Sequence, residues 1–534
     1  MRELVGNFLT RLRSLFIALV NYYFTIEKLK LVQFIFQIYR RLRPSSNSLW
    51  LNLEKSKSIE TMVFYKPKYV TFKNNGCDIF DEFIKFESEP YFSKKNEDYL
   101  YEFSFYYLEF LLESDVKPSD VLTILRILER KEFVSKYLFH PYTASKRIIT
   151  CIVLYSQYGV RADVQQLLLA RLRADVCFLA ANIEYHIDAN HLLTNYVALA
   201  LAAKIFDSKK LNTFVERYVN EFEVQFNSGT HYERSFSYSK QLVYEFCLFH
   251  QLYKDKIPPH VSDLVQKALF ELKLKEEYCC TGFGDNIDEQ CCSLEWLINY
   301  NKESLGLNLE LPSAPSCFVT ADKYVLINAG SIKAALDAGA PEPAHQPGHA
   351  NDSTGAIVVA FNGCEIITCS GTSTYSNNPQ REFERSRFAY SKPISEGPSQ
   401  VVWSSFRVAK RRVPKLRAKC DNGVELEVHS SIGTFSRHVH SCDGNALEIR
   451  DRFQRRGTKK IQFILSKSVK VSSVGTRNFL LQSKDICLEV SVSEGVKIRQ
   501  DVKDVGFQYG QLRRATAITL ETNEMELFTN WRLM

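Results

Sequence analysis

Residues 356–369 read AIVVAFNGCEIITC, two β-rich runs separated by Asn362-Gly363. An Asn-Gly pair in this position is the strongest short-range signal for a β-hairpin, because a type I′ turn needs a positive φ at both central residues. Many short strands at near-regular spacing predict an antiparallel β-sandwich from residue 315 to residue 534. The further strand-like runs are 401–408, 424–428, 446–449, 461–465, 486–492, 516–521 and 525–528.

The sequence before residue 310 has a helical period instead. Apolar residues recur every three or four positions in 164–183 and again in 192–206, where Asn190 is placed to cap the helix. Such blocks repeat at intervals of roughly 20 to 25 residues, which is typical of antiparallel helix pairs in a bundle, a solenoid or a toroid. We therefore predict a helical domain over 51–310, preceded by a helical segment over 1–50.

Composition limits the classes of protein that the chain can represent. It has 534 residues, of which 45% are hydrophobic and 24% charged, and this balance excludes a disordered or fibrous protein. No uninterrupted apolar run reaches the ~20 residues of a membrane span. The net charge of +7 permits an acidic polysaccharide as ligand. The basic residues form no single long stripe, so we expect no nucleic-acid partner.

Cysteine usage and the N-terminus indicate the compartment. The 14 cysteines include the pairs Cys279-Cys280 and Cys291-Cys292, which lack the CxxC spacing of structural zinc sites and predict reduced thiols in the cytoplasm. The apolar run 15–24 is followed by no small-residue cleavage site, so we expect no signal peptide. The cationic, aromatic stretch 11–43 favours either a helix packed on the helical domain or one lying on a membrane surface.

Polar residues that could carry chemistry are concentrated in four places. Taken singly, each place could have a purely structural role, such as a helix cap, an acidic residue in a first helical turn or an ordinary turn. His191 and Asn195 are one helical turn apart and should share a face. The four places are Asn190-His191 with Asn195, the run 231–238, Gly284-Asp285-Asn286, and the loop 347–352.

Together, in their order and spacing, these segments resemble the heparinase II/III-like proteins, a family of polysaccharide lyases. The resemblance implies an α+β multidomain chain, with an N-terminal incomplete (α/α) toroid followed by an antiparallel β-sandwich. A ligand cleft is then expected between the two domains. The segments that carry the resemblance are 29–44, 140–142 before Arg147, 190–195, 232–235 with Tyr238, 348–349, 371–375, 385–386 and 403–407.

The activity implied by the resemblance is β-elimination on a uronic-acid-containing glycan. One group must neutralise the uronate carboxylate, a base must remove the proton on the adjacent carbon, and an acid must protonate the departing oxygen. The positions that match the family's proton-transfer residues are Tyr238, His191 and His349. The expected substrate-binding residues are Asn190, Asn195, Glu233 and Arg234. A tyrosine acting as base would need its pKa of about 10 lowered by a cation such as Arg234 or a protonated histidine.

The sequence also departs from the family. Positions at which many members carry metal-ligating residues are Asn351, Cys369 and Tyr390 here, and Ser239 replaces the histidine that usually follows the tyrosine. We therefore expect neither a metal nor another cofactor. Two hypotheses result: a metal-free polysaccharide lyase, or a catalytically inactive glycan-binding or assembly protein of capsule or O-antigen biosynthesis. The uronic acid, the linkage, endo or exo cleavage and the oligomeric state stay open.

Overall fold

The structure is a computed structural model. It describes the chain from residue 15 to residue 534, except for 43–50, 52, 54, 74–75, 87–98, 131–134, 159–160, 288–289, 307–315, 346, 421, 443 and 485. The predicted domain boundary near 310 and the ends of the 1–50 segment lie outside the described residues.

Helices dominate the N-terminal half, and consecutive helices pack against one another to form the incomplete ring that the resemblance implies. In Ala162–Ala181 the residues Leu168, Leu172, Val176 and Leu179 are buried, as the apolar period requires. Besides a helix over 15–26, the α-helices of this half are Leu31–Leu42, Tyr99–Tyr107, Pro118–Ile127, Pro141–Tyr158, Ala162–Ala181, Ala189–Ile205, Lys209–Gln225, Phe236–Tyr253, Pro259–Glu277 and Leu294–Leu305.

Two local features of the helical half differ from expectation. A three-stranded sheet of Val70–Lys73, Gly76–Ile79 and Glu82–Lys85 precedes the ring. Asn190 does not cap its helix, because Ala189–Ile205 already begins one residue earlier and its N-cap position is Asp188. Asn190 thus lies inside the first turn, and its side chain is left for another role.

The C-terminal half is a sandwich of two eight-stranded antiparallel sheets, as predicted. One sheet has the strand order Lys415–Cys420, Gly423–His429, Thr434–Cys442, Ala446–Phe453, Glu526–Leu533, Ile486–Val492, Asn478–Ser483 and Lys470–Val474. The other has the order Lys497–Gln508, Gln511–Thr522, Lys459–Leu465, Cys364–Thr368, Ile357–Phe361, Ile332–Asp337, Tyr324–Ala329 and Cys317–Val319.

The predicted hairpin at 362–363 is confirmed. Asn362 and Gly363 have φ values of 47° and 75°, and Phe361 pairs with Cys364 across the turn. The strand predicted over 401–408 is instead a small ribbon of Val401–Trp403 with Arg407–Lys410, because the chain turns at Ser404, whose φ is 50°. The sandwich also carries a short α-helix, Pro379–Arg385, which faces the helical ring.

Within the described part of the chain, no helix combines the length and the apolar character needed to cross a membrane.

Candidate active site

A cleft of about 1220 Å³ lies between the helical ring and the sandwich. Pockets for drug-sized ligands are roughly 300–1,000 Å³, so this cleft has room for several sugar rings. Aromatic faces stack well on sugars, and the cleft is rich in them. Its aromatic lining consists of Tyr99, Tyr101, Phe103, Tyr107, Tyr137, Tyr142 and Tyr238 from the ring, with Tyr375 and Phe406 from the sandwich.

Tyr238 enters the cleft from the start of a helix. Ser235 caps Phe236–Tyr253, and its side chain accepts a hydrogen bond from the backbone N–H of Tyr238 at 3.3 Å. The Tyr238 ring stacks on the imidazole of His349, with 3.9 Å between ring centroids. The hydroxyl of Tyr238 lies 2.8 Å from that of Tyr375. A phenol from the ring and an imidazole from the sandwich are thus in direct contact.

His349 is held by a buried carboxylate. Its Nδ1 lies 3.2 Å from Oδ2 of Asp285, and Arg381 donates two hydrogen bonds to Asp285, of 2.7 and 2.6 Å. The backbone N–H of Asp285 also donates to the carbonyl of His349 at 2.8 Å. Although burial alone would raise the pKa of Asp285, Arg381 and His349 hold it below its usual value.

This arrangement determines which ring nitrogen of His349 carries the proton. An ionised Asp285 is an acceptor only, so the proton of the neutral imidazole lies on Nδ1 and Nε2 becomes the accepting atom. Burial lowers the pKa of His349, and Asp285 opposes that effect only in part. His349 is therefore neutral near pH 7 and able to accept a proton.

His191 lines the same cleft from the ring side. Its Nδ1 lies 3.2 Å from Oε2 of Glu184, and its ring packs on Tyr142 with 4.2 Å between centroids. Glu184 is fully buried, and although burial favours its neutral form, His191 and His140 bring its pKa down to about 2. Glu184 thus lies beside His191 as Asp285 lies beside His349, but the His191 contact does not have the geometry of a hydrogen bond.

Glu233 and Asn190 form a small polar pocket beside these rings. The backbone N–H of Asn190 donates to Oε2 of Glu233 at 3.4 Å, and the side-chain amide nitrogen of Asn190 is buried with no hydrogen-bond partner in the described structure. Burial raises the pKa of Glu233 to about 8, and the charges of Asp188 and Asp285 act in the same direction. Near pH 7 the pocket therefore presents a protonated carboxyl and an unused amide donor.

The structure does not bring Asn195 or Arg234 to the cleft. Asn195 lies one turn after His191 as expected, but it donates to Ser145 at 3.0 Å and accepts from the backbone N–H of Glu184 at 2.9 Å. Arg234 turns into the sandwich, where it donates to the carbonyl of Asp322 at 2.7 Å and to the carboxylate of Asp337. Asn195 supports Glu184, and Arg234 joins the two domains.

The cation that Tyr238 would need in order to act as a base is not found beside it among the described residues. Arg234 faces away, and His349 is neutral. Burial raises the pKa of Tyr238 well above 10, and its neighbour Tyr375 raises it further. Tyr238 thus keeps its proton, which suits an acid better than a base.

Asn351, Cys369 and Tyr390 lie together but do not suit a zinc ion. Asn351 donates to the hydroxyl of Tyr390 at 2.9 Å and accepts from the guanidinium of Arg385 at 3.1 Å. Burial raises the pKa of the Cys369 thiol, so the thiolate that zinc prefers is disfavoured. A buried guanidinium beside one amide and one phenol would also repel a cation.

Sequence reasoning missed several partners of these residues. Tyr375 lies in a segment that carries the resemblance, and Asp285 in a loop singled out for its polar residues, so both had a local signal. Arg381 and Glu184 lie in segments whose sequence carries no such signal. Arg381 reaches Asp285 across 96 positions of sequence, a contact that only the docking of the two domains creates.

Comparison with known proteins supports the fold described above. Residues 314–531 match the family model for the heparinase II/III-like C-terminal domain. A crystal structure of heparinase III superposes with a TM-score of 0.64 at 14% identity, covering 93% of this chain and 88% of that chain. A heparan sulfate lyase from Pedobacter heparinus gives a TM-score of 0.54 at 12% identity, covering 85% of this chain and 79% of that one. A search of curated protein sequences gives no significant match.

At these identities the solved structures establish the fold alone, a helical toroid followed by a β-sandwich. The family model confirms the predicted resemblance for residues 314–531.

Proposed function

The chain carries a heparinase II/III-like C-terminal domain, and from this and the cleft we propose that it is a polysaccharide lyase acting on a uronic-acid-containing acidic glycan. The observation that carries the proposal is the stacking of Tyr238 on His349, 3.9 Å apart, inside a cleft between the two domains. A phenol that holds its proton and an imidazole that can accept one form the acid–base pair that β-elimination needs.

In the proposed reaction, the protonated Glu233 and the free amide of Asn190 bind the uronate carboxylate and offset its charge. Nε2 of His349 removes the proton from the carbon next to the carboxylate. The electron pair left behind forms a carbon–carbon double bond as the glycosidic carbon–oxygen bond breaks, and Tyr238 protonates the departing oxygen. After the product leaves, His349 gives its proton to water in the cleft and Tyr238 takes one back from water. His191, packed on Tyr142, contacts the sugar from the ring side.

The test is incubation with a panel of uronate glycans and detection of the unsaturated product by its ultraviolet absorbance. We expect Tyr238→Phe to lose roughly 10²- to 10⁴-fold in turnover, the range of a lost general acid. Tyr137→Phe removes the same atom from the same cleft, away from His349, and should keep most of the activity. A folded protein that is inactive on the whole panel would overturn the proposal.

The second candidate is a glycan-binding or assembly protein without turnover, in capsule or O-antigen production. The observation in its favour is the absence of a cation beside Tyr238 among the described residues, together with the raised pKa of Tyr238. Glycan binding that is equal in the native chain and in Tyr238→Phe, with no product from either, would support it.

We also propose a cytoplasmic location, and hence a glycan that the cell itself makes or recycles. Buried, unpaired thiols such as Cys151, Cys247 and Cys280 support a reducing compartment.

A further inference from the structure

The two N-terminal helices, over 15–26 and Leu31–Leu42, turn their polar side chains towards the rest of the protein. Gln33 is 1% exposed, although glutamine is normally a surface residue. The polar contacts of the second helix and the residue before it are Gln33 Nε2 to the carbonyl of Ile187 at 3.3 Å, Arg40 Nη2 to the carbonyl of Asn182 at 2.7 Å, and Lys30 Nζ to Oδ2 of Asp188 at 2.8 Å.

The first of these helices also reaches the sandwich. Trp403 donates its indole N–H to Oγ1 of Thr25 at 3.2 Å, and its ring lies edge-on to Tyr22 with 6.5 Å between centroids. The helix pair therefore contacts both domains, and its orientation is fixed relative to the cleft between them.

The opposite side of the helix pair is apolar and faces solvent. Phe16 is 67% exposed and Leu31 is 72% exposed. This is the reverse of an ordinary surface helix, which buries its apolar stripe and exposes its polar residues. A group of exposed apolar side chains of this size marks an interaction site. We call it the N-terminal apolar face, and its members are Leu15, Phe16, Ile17, Leu19, Tyr23, Leu31, Val32, Phe34, Ile38 and Leu42.

The charge of the same segment indicates the partner. Residues 1–50 hold eight lysines and arginines but only two acidic residues, so they carry nearly all of the chain's formal net charge of +7. Among the described basic residues of this segment, Lys28 and Arg41 are exposed near the ends of the two helices, and Lys28 lies 3.7 Å from the carboxylate of Glu27. A second copy of this chain would bring a second cluster of the same sign to the face, which opposes self-association.

We propose that the N-terminal apolar face docks the protein on an anionic lipid surface. The two helices lie in the membrane interface with their apolar side chains among the acyl chains and the exposed Lys28 and Arg41 at the anionic headgroups. Because the same helices contact Asp188 on the ring and Trp403 on the sandwich, docking holds the cleft in a fixed orientation above the membrane. A glycan carried on a membrane lipid would then meet the cleft directly.

The experiment measures co-sedimentation of the full chain with phosphatidylcholine vesicles, with and without phosphatidylglycerol. The test variant is Phe16→Glu with Leu31→Glu. The matched control is Ile432→Glu with Val502→Glu, which adds the same two charges at residues of the sandwich that are 52% and 64% exposed. Circular dichroism of each variant checks that it is folded, and light scattering measures its mass.

We expect the native chain and the control to bind anionic vesicles, and added salt to weaken that binding. The test variant should lose about tenfold or more in partitioning, since two apolar anchors become charged. No binding to anionic vesicles by the folded native chain would overturn the proposal. So would a dimer that the test variant dissociates, because the face would then be an interface between copies.

Discussion

The raised pKa of Glu233 gives the proposed carboxylate pocket a definite pH dependence. With a pKa of about 8, Glu233 is about nine-tenths protonated at pH 7 and about one-tenth protonated at pH 9. Only the protonated form of Glu233 can donate a hydrogen bond to the uronate carboxylate, because two ionised carboxylates would repel each other. The affinity for a uronate glycan should therefore fall about tenfold between pH 7 and pH 9.

The variant Glu233→Gln separates this cause from others. A glutamine keeps a donor and a carbonyl oxygen at the same place and has no charge at any pH. The variant should bind the glycan with nearly the same affinity at pH 7 and pH 9. Glu233→Ala, by contrast, removes the donor and should bind more weakly at both pH values.

The assay is calorimetric titration of the glycan into protein that carries Tyr238→Phe, so that proton transfer during catalysis does not enter the measurement. The reasoning is refuted if the native Glu233 gives the same affinity at both pH values, or if Glu233→Gln keeps the tenfold dependence. In the second case another group in the cleft would be responsible.

The same pKa also predicts an effect on stability that needs no ligand. A carboxyl whose pKa is raised by folding contributes stability that is fully present below its unfolded value of about 4.3 and is lost as pH rises through about 8. The native chain should therefore lose stability relative to Glu233→Gln as pH rises from 5 to 8. Chemical denaturation at several pH values measures this, and parallel curves for the two proteins would contradict it.

Three further predictions follow from the contacts of the site. Arg234→Ala leaves Asp337 buried without its main partner and should cost about 3–5 kcal/mol in urea denaturation; glycan affinity in the folded fraction should not change, whereas a substrate-binding role would lower it. Tyr375→Phe removes the 2.8 Å contact to Tyr238 and should lower turnover by about tenfold or less, measured as product formation at saturating glycan. Treatment with a chelator should change neither activity nor melting temperature, because Asn351, Cys369 and Tyr390 do not form a zinc site; a loss of either would show that a metal is bound.

Local sequence patterns were enough to predict much of the fold. The apolar period placed the helices Ala162–Ala181 and Ala189–Ile205 within a few residues, and Asn362-Gly363 located a hairpin. These patterns depend on contacts that each element makes with its own neighbours or with a single face of the core. The ribbon at 401–410 was missed because its turn at Ser404 carries no glycine or proline signal.

The candidate site could be predicted less completely from the sequence than the fold. His191, Tyr238 and His349 were named as proton-transfer residues through the resemblance, and the structure brings all three to one cleft. Their protonation was not predictable, because it depends on burial and on partners far along the chain. Arg234 shows this limit most clearly, since it precedes Tyr238 by four residues but points into the sandwich.

Buried charge pairs across the domain interface explain why the cleft has a defined shape. Lys275 pairs with Asp322, Arg234 with Asp337, and Asp285 with Arg381, in each case with one residue from the helical half and one from the sandwich. A shift of one domain along the other would separate these partners and leave charges buried alone, which costs far more than the loss of an equal apolar contact.

The charge pairs therefore favour one relative position of the two domains. Asp285 belongs to one of these pairs and also contacts Nδ1 of His349. The relative position of the domains that pairs the buried charges is therefore the one in which Tyr238 stacks on His349. A change that weakens the interface without unfolding either domain should accordingly reduce turnover more than glycan binding. Turnover needs groups from both domains in contact, whereas Glu233 and Asn190, which bind the carboxylate, both lie on the helical half.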